Sequence, residues 1–279
     1  MIAFLGTGLL GAGFVHAALG RGEQVHVWNR SYAKAKALEA HGARAYEDPA
    51  EAIAGASRVH VVVSDDAAVD AVLAASRPRA DVLIIDHSTT SLEGARRRTA
   101  RSDVTYVHAP VFMGPQNARE AKGLILLSGD RGRVARVTPL VAPMTGKVVD
   151  LGERVDAAAA FKLMGNYFLM GFTSAIADMI GFGAAVGLAP DEAIRLFEHF
   201  NPGTSTLGRA TRLASGSYET ASWTLEMARK DARLVEGELA HAGTSLALLP
   251  VIVEWMDALL AKGHGADDWT VLAKDYVDK

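Results

Sequence analysis

The chain has 279 residues, of which 49% are hydrophobic, and its formal net charge is −3. That length allows one large domain or two modest ones, and the lack of a long basic run argues against a nucleic-acid partner. The chain has no cysteine, which excludes disulfides and thiolate ligands, and its nine histidines show no metal-ligand spacing, so we expect no metal site. A cysteine-free chain that enters its first strand at residue 2 is expected to lack a signal peptide and to be cytoplasmic.

The N-terminal stretch predicts a dinucleotide-binding unit. A strand over Ile2–Leu5, a helix over about Leu9–Leu19 and a strand over Gln24–Trp28 surround three glycines with G-x-G-x-x-G spacing. In this context the first glycine permits a tight turn, the second lets the backbone approach a pyrophosphate, and the third lets helix and strand pack closely. Backbone N–H groups at the helix start would face the phosphates. The expected cofactor contacts here are Gly6, Gly8, Leu9, Leu10 and Gly11.

The residues that follow the second strand indicate which dinucleotide binds. NAD sites usually place a carboxylate here, whereas an arginine accommodates the 2′-phosphate of NADP. This chain has Asn29, Arg30 and Ser31, with Lys34 one turn further on. Because a guanidinium can pair with a phosphate and stack on adenine, we predict that NADP(H) is preferred over NAD(H). The alternative is a solvated arginine at a strand end.

Strands and helices then alternate as far as residue 151, which predicts a parallel sheet with right-handed crossovers. Helices are predicted over Ala33–Ala40, Asp66–Ala75, Leu92–Arg101 and Arg131–Ala142, and strands over Val59–Val63, Val82–Asp86, Val104–Val107, Leu124–Ser128 and Lys147–Leu151.

From about Arg154 only helices are predicted, and the first of them extends to about Val186. We therefore expect an α/β fold: a doubly wound Rossmann domain over residues 1–152 and an all-α domain over residues 153–279, joined by this long helix. The helix is apolar but contains Lys162, Asn166 and Asp178, which favours a buried interdomain helix over a membrane span. Its glycine- and alanine-rich second half predicts close helix packing and at least a homodimer, or a homotetramer.

Three strand endings are expected to line one cleft, because ligands of such sheets bind beyond the carboxyl ends of the strands. The endings are Val63-Ser64-Asp65, His87-Ser88-Thr89-Thr90 and the segment from His108 to Phe112-Met113-Gly114.

Lys162 and Asn166 are the chemical candidates of the second half, because i, i+4 spacing places both on one helix face. Burying a lysine costs several kcal/mol unless it is paired or neutral, whereas a lysine that extends to solvent is common. Taken alone, the two interpretations are about even. Lys230 and Asp231 form another charged pair, which by itself is typical of a solvated helix face.

In their order along the whole chain, these motifs resemble those of the β-hydroxyacid dehydrogenases, such as 3-hydroxyisobutyrate dehydrogenase, glyoxylate/succinic semialdehyde reductase and, more distantly, 6-phosphogluconate dehydrogenase. The resemblance implies an active site between a Rossmann domain and a helical domain. It implies that Lys162 protonates the carbonyl oxygen and that Asn166 orients the substrate. It also places Thr89 by the nicotinamide and Lys230 near the cofactor. The expected substrate contacts are Ser88, Phe112, Met113, Gly114, Asn166, Trp223 and Asp231.

The substrate loop departs from the family pattern Asp-Ala-Pro-Val-Ser-Gly-Gly. Here Phe112 and Met113 replace the hydroxyl donor and a glycine, which suggests a larger or more apolar substrate. The main hypothesis is an NADP(H)-dependent reductase of a small aldehyde, keto or hydroxy acid compound. An imine reductase, whose members usually place Asp or Tyr at the lysine position, is the second. A cofactor-binding oligomerisation module without turnover is the third.

Overall fold

The structure, a computed structural model, describes residues 1–278 and contains two compact units, Met1–Tyr167 and a second that begins at Phe168. The first unit extends beyond the predicted boundary near residue 152 because the start of the long helix packs on it. Ala158 and Ala159 have no exposed surface, and the Ala158 N–H donates to Ser128 Oγ at 3.0 Å. The division therefore falls inside a helix.

A six-stranded parallel sheet with helices around it forms the first unit, which confirms the predicted Rossmann architecture. The strand order is β3-β2-β1-β4-β5-β6. Residues such as Phe4, Leu5 and Ile85 have no exposed surface, because both faces of the sheet are covered. The strands are β1 Ile2–Leu5, β2 Val25–Trp28, β3 Arg44–Tyr46, β4 Arg58–Val61, β5 Leu83–Asp86 and β6 Thr105–His108.

A smaller sheet follows in the same unit. β7 (Val111–Phe112) runs antiparallel to β8 (Leu124–Leu127), which pairs in parallel with β9 (Lys147–Asp150). β3 and β7 were not predicted, because three- and two-residue strands are too short to show a pattern of their own.

Side-chain caps define several helices of the first unit. Asp65, Ser91 and Asp130 each accept a hydrogen bond from a backbone N–H in the first turn that follows. The helices are α1 Leu9–Gly20, α2 Tyr32–Lys36, α3 Pro49–Ile53, α4 Asp66–Ser76, α5 Leu92–Thr99, α6 Pro115–Arg119 and α7 Arg131–Val141.

The described part of the second unit is helical, as predicted, around a small core that includes Leu225, Met256 and Leu259. Asp268 is buried there and accepts hydrogen bonds from the backbone and hydroxyl of Ser222, both at 2.9 Å. The helices are α8 Ala157–Ala185, which begins in the first unit, and α9 Pro190–Ile194, α10 Leu196–His199, α11 Thr206–Ala214, α12 Leu225–Ala242, α13 Leu249–Ala261 and α14 Lys274–Val277.

α8 is the long apolar helix that the sequence predicts, but it is not buried within the chain. Tyr167 is 79% exposed, Met170 65% and Met164 63%, and burial is concentrated at the first turn, Ala157–Ala159. The expectation of a buried helix is therefore wrong for the chain by itself. The reason is that apolar residues continue beyond the turn that packs on the first unit. By length and composition alone, α8 could also cross a membrane.

Candidate active site

The glycine loop between β1 and α1 has a geometry that requires glycine at two positions. Gly6 has a φ of +103°, and a Cβ on it would lie 2.1 Å from the Val62 carbonyl oxygen. A Cβ on Gly11 would lie 2.1 Å from the Gly6 carbonyl oxygen. Gly8 differs, since no atom lies within 4 Å of a Cβ placed there, and α1 begins after it without a side-chain cap. Uncapped N–H groups therefore border open space of the kind that a pyrophosphate fills.

A cleft of about 590 Å³ lies beside this loop. That volume is typical of a small-molecule site, roughly 300–1,000 Å³. Thr89 and Lys230 are not among its lining residues, so their contacts with a cofactor stay predictions. The predicted cofactor residues that the structure brings together around the cleft are Gly6, Gly8, Leu9, Leu10, Gly11, Asn29, Arg30, Ser31, Lys34, Val63 and Ser64.

The end of the cleft after β2 is positively charged. Arg30 and Lys34 are exposed, and neither side chain forms a hydrogen bond or ion pair with another residue of the described range 1–278. Among the described lining residues there is no carboxylate. Asn29 is engaged instead with the protein itself, because its Oδ1 accepts from the Thr7 N–H and its Nδ2 donates to the Ser31 carbonyl.

The ends of β4 and β5 are tied together by Ser88. The Val63 N–H donates to Ser88 Oγ at 2.9 Å, and the Ser88 N–H donates to Asp86 Oδ1 at 2.8 Å. Ser88 is buried, and its hydrogen bond fixes the backbone of Val63, which lines the cleft. Of the three strand endings expected to line one cleft, only the first lines this one among the described residues. The contact of Ser88 with substrate stays a prediction, and in this structure its hydroxyl oxygen accepts from the Val63 N–H.

The three residues of the predicted substrate loop make different contacts. The Phe112 ring lies against Lys162, whereas Met113 and Gly114 contact other parts of the first unit. Met113 packs partly buried against the hydrophobic core of the sheet. The Gly114 N–H donates to Asn117 Oδ1 at 3.1 Å, which caps α6. That all three residues contact a substrate stays a prediction. Of the three, Phe112 is the one whose side chain contacts Lys162.

Phe112 meets the candidate proton donor. Its ring centroid lies 4.3 Å from Lys162 Nζ, within the range of a cation–π contact. Partial burial lowers the pKa of Lys162. Among residues 1–278 the Lys162 ammonium has no hydrogen-bond or ion-pair partner. Asn166, one turn further along α8, is also partly buried on this side of the helix.

Gly165, which is not among the predicted site residues, completes this arrangement. A Cβ on Gly165 would lie 2.3 Å from Cζ and 2.7 Å from Cε1 of Phe112, so the ring occupies the space that any other residue would fill. The signal was available in the sequence as a glycine three residues after the lysine inside a long helix, where glycine is unfavourable.

The remaining predicted residues lie in the second unit. Lys230 Nζ lies 2.6 Å from Asp231 Oδ1, and each of the two side chains is a little under half exposed. Trp223 is 39% exposed, and its ring lies 5.1 Å from that of Trp269. Their roles at a site stay predictions.

A buried chain of histidines runs beneath the strand ends. Arg58 Nε donates to His60 Nε2 at 3.0 Å, so His60 Nδ1 must carry the proton that bonds His87 Nε2 at 3.0 Å. His87 Nδ1 then donates to the Ala109 carbonyl at 2.8 Å. Burial lowers the pKa of His87 to about 4 and that of His60 well below its ordinary value, so both rings are neutral.

The known proteins that this chain resembles in sequence include some that are named as dehydrogenases and reductases. Residues 1–152 match the family described as the NAD binding domain of 6-phosphogluconate dehydrogenase. A Mycobacterium tuberculosis protein named "Probable 3-hydroxyisobutyrate dehydrogenase" is 31% identical over 195 residues, which cover 67% of this chain and 65% of that protein. "Glyoxylate/succinic semialdehyde reductase 2, chloroplastic" of Arabidopsis thaliana is 24% identical over 96% of this chain and 76% of its own length.

Solved structures share the fold. A reductive aminase from Aspergillus terreus, in complex with NADPH and ethyl-5-oxohexanoate, matches with a TM-score of 0.90 at 23% identity, over 99% of this chain and 98% of that one.

Proposed function

The chain belongs to the β-hydroxyacid dehydrogenase family of NAD(P)-binding oxidoreductases, and we propose that it is an NADP(H)-dependent reductase of small carbonyl compounds. The observation that carries this proposal is Lys162, a partly buried ammonium with no partner among residues 1–278 except the Phe112 ring. A charge held this way in a family of hydride-transferring enzymes suits a proton donor to the carbonyl oxygen.

The reaction needs one hydride and one proton. A nicotinamide dinucleotide held by the residues around the cleft would supply the hydride. Lys162 Nζ gives its proton to the carbonyl oxygen as the C=O bond becomes C–OH, and takes a proton back in the reverse direction. Because burial lowers the lysine's pKa, the exchange becomes easier near neutral pH. The Asn166 amide, on the same helix face, orients the substrate oxygen.

NADP(H) is the proposed cofactor because of the charge after β2. Arg30 and Lys34 line the cleft with unpaired cations, which suit the 2′-phosphate. The Asn29 amide is already bonded to Thr7 and Ser31, and no described lining residue offers a carboxylate to a ribose 2′-OH.

We propose uncharged or weakly polar carbonyl compounds as substrates. Where the family pattern has a serine hydroxyl that suits a carboxylate, this chain places the Phe112 ring. The Aspergillus terreus relative holds the keto ester ethyl-5-oxohexanoate, which is also an uncharged carbonyl compound. The Phe112 ring and the likeness to the reductive aminase also favour imine reduction as a second candidate. Lys162 argues against it, since imine reductases usually have another residue at the lysine position.

A substrate panel tests these proposals. NADPH oxidation at 340 nm is followed with uncharged aldehydes and ketones, with their ω-carboxylated analogues and with cyclic imines. We expect the highest kcat/KM for the uncharged carbonyl compounds. Faster reduction of the cyclic imines would replace this assignment by imine reduction. Tight NADPH binding without turnover of any compound in the panel would favour the third hypothesis, a cofactor-binding module without catalytic activity.

We also propose that a second copy of the chain covers α8, giving a homodimer or homotetramer in the cytoplasm. Phe161, Met164 and Phe168, spaced three and four residues apart and thus on one face of α8, are each at least half exposed, which a soluble monomer would rarely tolerate as one continuous surface. Sedimentation in detergent-free buffer should show a dimer or larger oligomer at micromolar concentration. A monomer alone, or extraction from cells only with detergent, would contradict this.

A further inference from the structure

Phe112, Lys162 and Gly165 form a three-residue arrangement whose parts depend on one another. The ring tip of Phe112 rests on Gly165, where a Cβ would come within 2.3 Å of Cζ. With the ring in that place, its centroid is 4.3 Å from Lys162 Nζ. Lys162 and Gly165 are three residues apart on α8 and therefore on one face.

We propose that Phe112, seated on Gly165, is a positioning residue that holds the Lys162 ammonium at the reaction centre and sets the pH at which it gives up its proton. This rests on the proposed function, since it assumes that Lys162 is the proton donor. The ring replaces the hydrogen-bond partner or carboxylate that a buried lysine normally needs.

Two opposing effects act on the lysine. Partial burial disfavours the charged form and lowers the pKa of Lys162. The negative face of the ring attracts the ammonium and favours the charged form, so it opposes the effect of burial. A flexible four-carbon side chain also loses conformational freedom when its end is held at one point, which keeps Nζ in place before substrate arrives.

Phe112→Leu separates the two effects, because leucine keeps an apolar side chain but has no π face. We expect the pKa of Lys162 to fall by about 0.4–1.5 units, the equivalent of a typical cation–π contact. The pKa is measured by NMR on the holoenzyme with ¹³C-dimethylated lysines, and Lys162→Arg identifies the resonance. Replacement of Phe112 by 3,5-difluorophenylalanine, similar in size with a weaker π face, should give an intermediate shift.

Phe197→Leu is the matched control, since Phe197 lies on α10 and makes no ring contact with a cation in the described residues. It should leave the Lys162 resonance unchanged. In turnover, the alkaline limb of kcat should move to lower pH in Phe112→Leu by the same amount as the NMR pKa, because reduction needs the protonated lysine.

Gly165→Ala tests whether the contact between the Phe112 ring and Gly165 positions the ring. The added methyl group must displace the ring, so Gly165→Ala alone should shift the lysine pKa in the same direction as Phe112→Leu. In a Phe112→Leu background the same glycine change should add little, because the ring is already gone.

An unchanged or raised pKa of Lys162 in Phe112→Leu would overturn the proposal, because the ring would then act only as a shield from water. If the effects of Gly165→Ala and Phe112→Leu on the pKa of Lys162 were additive, that would also contradict the proposal that Gly165 acts by positioning the Phe112 ring. If the parent protein reduces no carbonyl compound, the proposed function fails, but the NMR measurement still decides whether Phe112 sets the state of Lys162.

Discussion

Asn29 Oδ1 accepts a hydrogen bond from the backbone N–H of Thr7 at 3.0 Å, which ties the end of β2 to the glycine loop. The side chain at the position where NAD sites usually place a carboxylate therefore supports the glycine loop beside the cleft. The proposed recognition of a 2′-phosphate therefore rests on Arg30 and Lys34, which line the same cleft.

Arg30→Ala should weaken NADPH binding by about ten- to a hundredfold or more and leave NADH nearly unchanged, because a lost charge-assisted pair is worth roughly 1.5–3 kcal/mol. Calorimetric titration with both cofactors measures this. Asn29→Ala is the control, and it should weaken both cofactors alike because it loosens the loop. Equal losses for both cofactors in Arg30→Ala would show that Arg30 does not read the phosphate.

Gly8→Ala should leave the unfolding temperature of the free protein nearly unchanged but weaken both cofactors strongly, since its Cβ meets only open space in the protein. Gly11→Ala is the matched comparison and should destabilise the fold, because its Cβ would lie 2.1 Å from the Gly6 carbonyl oxygen. Thermal unfolding and cofactor titration together separate the two effects. Unimpaired cofactor binding by Gly8→Ala would mean that no pyrophosphate approaches there.

If Lys162 is the proton donor that we propose, Lys162→Ala should reduce kcat by roughly 10²–10⁴-fold while NADPH affinity stays nearly intact, because a proton donor acts in the chemical step. Lys162→Arg should not restore the rate, since a guanidinium stays protonated near neutral pH. Steady-state kinetics on the best substrate of the panel, with NADPH titration alongside, gives both values. An alanine variant at the parent rate would remove the catalytic assignment.

Phe112→Ser should shift selectivity towards carboxylated aldehydes, because it returns a hydroxyl donor to the place that the ring now occupies. The measurement is the ratio of kcat/KM for matched charged and uncharged aldehydes. Met113→Gly should change this ratio much less, since Met113 packs against the core of the sheet. An unchanged ratio in Phe112→Ser would mean that this position does not contact substrate.

Folding stability should fall in mild acid because of the buried histidines. The pKa of His87 is lowered from 6.5 to about 4, so the unfolded chain binds a proton that the folded chain excludes. The stabilisation is complete above pH 6.5 and is lost as the pH falls through that value towards 4. From His87 alone we expect a loss of about 2 kcal/mol between pH 8 and pH 5.

Urea unfolding at the two pH values measures this effect. His87→Asn keeps a donor for the Ala109 carbonyl and removes the titrating ring, so it should flatten the pH dependence. His199→Gln, at an exposed position, should leave the dependence as it is. A parent protein equally stable at pH 5 and pH 8 would contradict the assignment of neutral buried rings.

The sequence by itself determined the architecture of the first unit and most of one site. Runs such as Ile2–Leu5 and Leu83–Ile85 are apolar throughout, which is typical of strands buried on both faces of a parallel sheet. Glycine spacing and the residues after β2 are local patterns, and all the residues predicted from them line the cleft. Local patterns are readable because backbone geometry imposes them within a few residues.

Only the tertiary structure decided which distant side chains meet. Phe112 and Lys162 are fifty positions apart in sequence, and nothing along the chain indicates that the ring would rest on Gly165 and face the ammonium. Likewise, only the structure shows that Ser88 accepts a hydrogen bond from the Val63 N–H and that Met113 packs against the core of the sheet. The physical reason is that contacts between residues far apart in sequence depend on how strands and helices pack, which short-range periodicity does not encode.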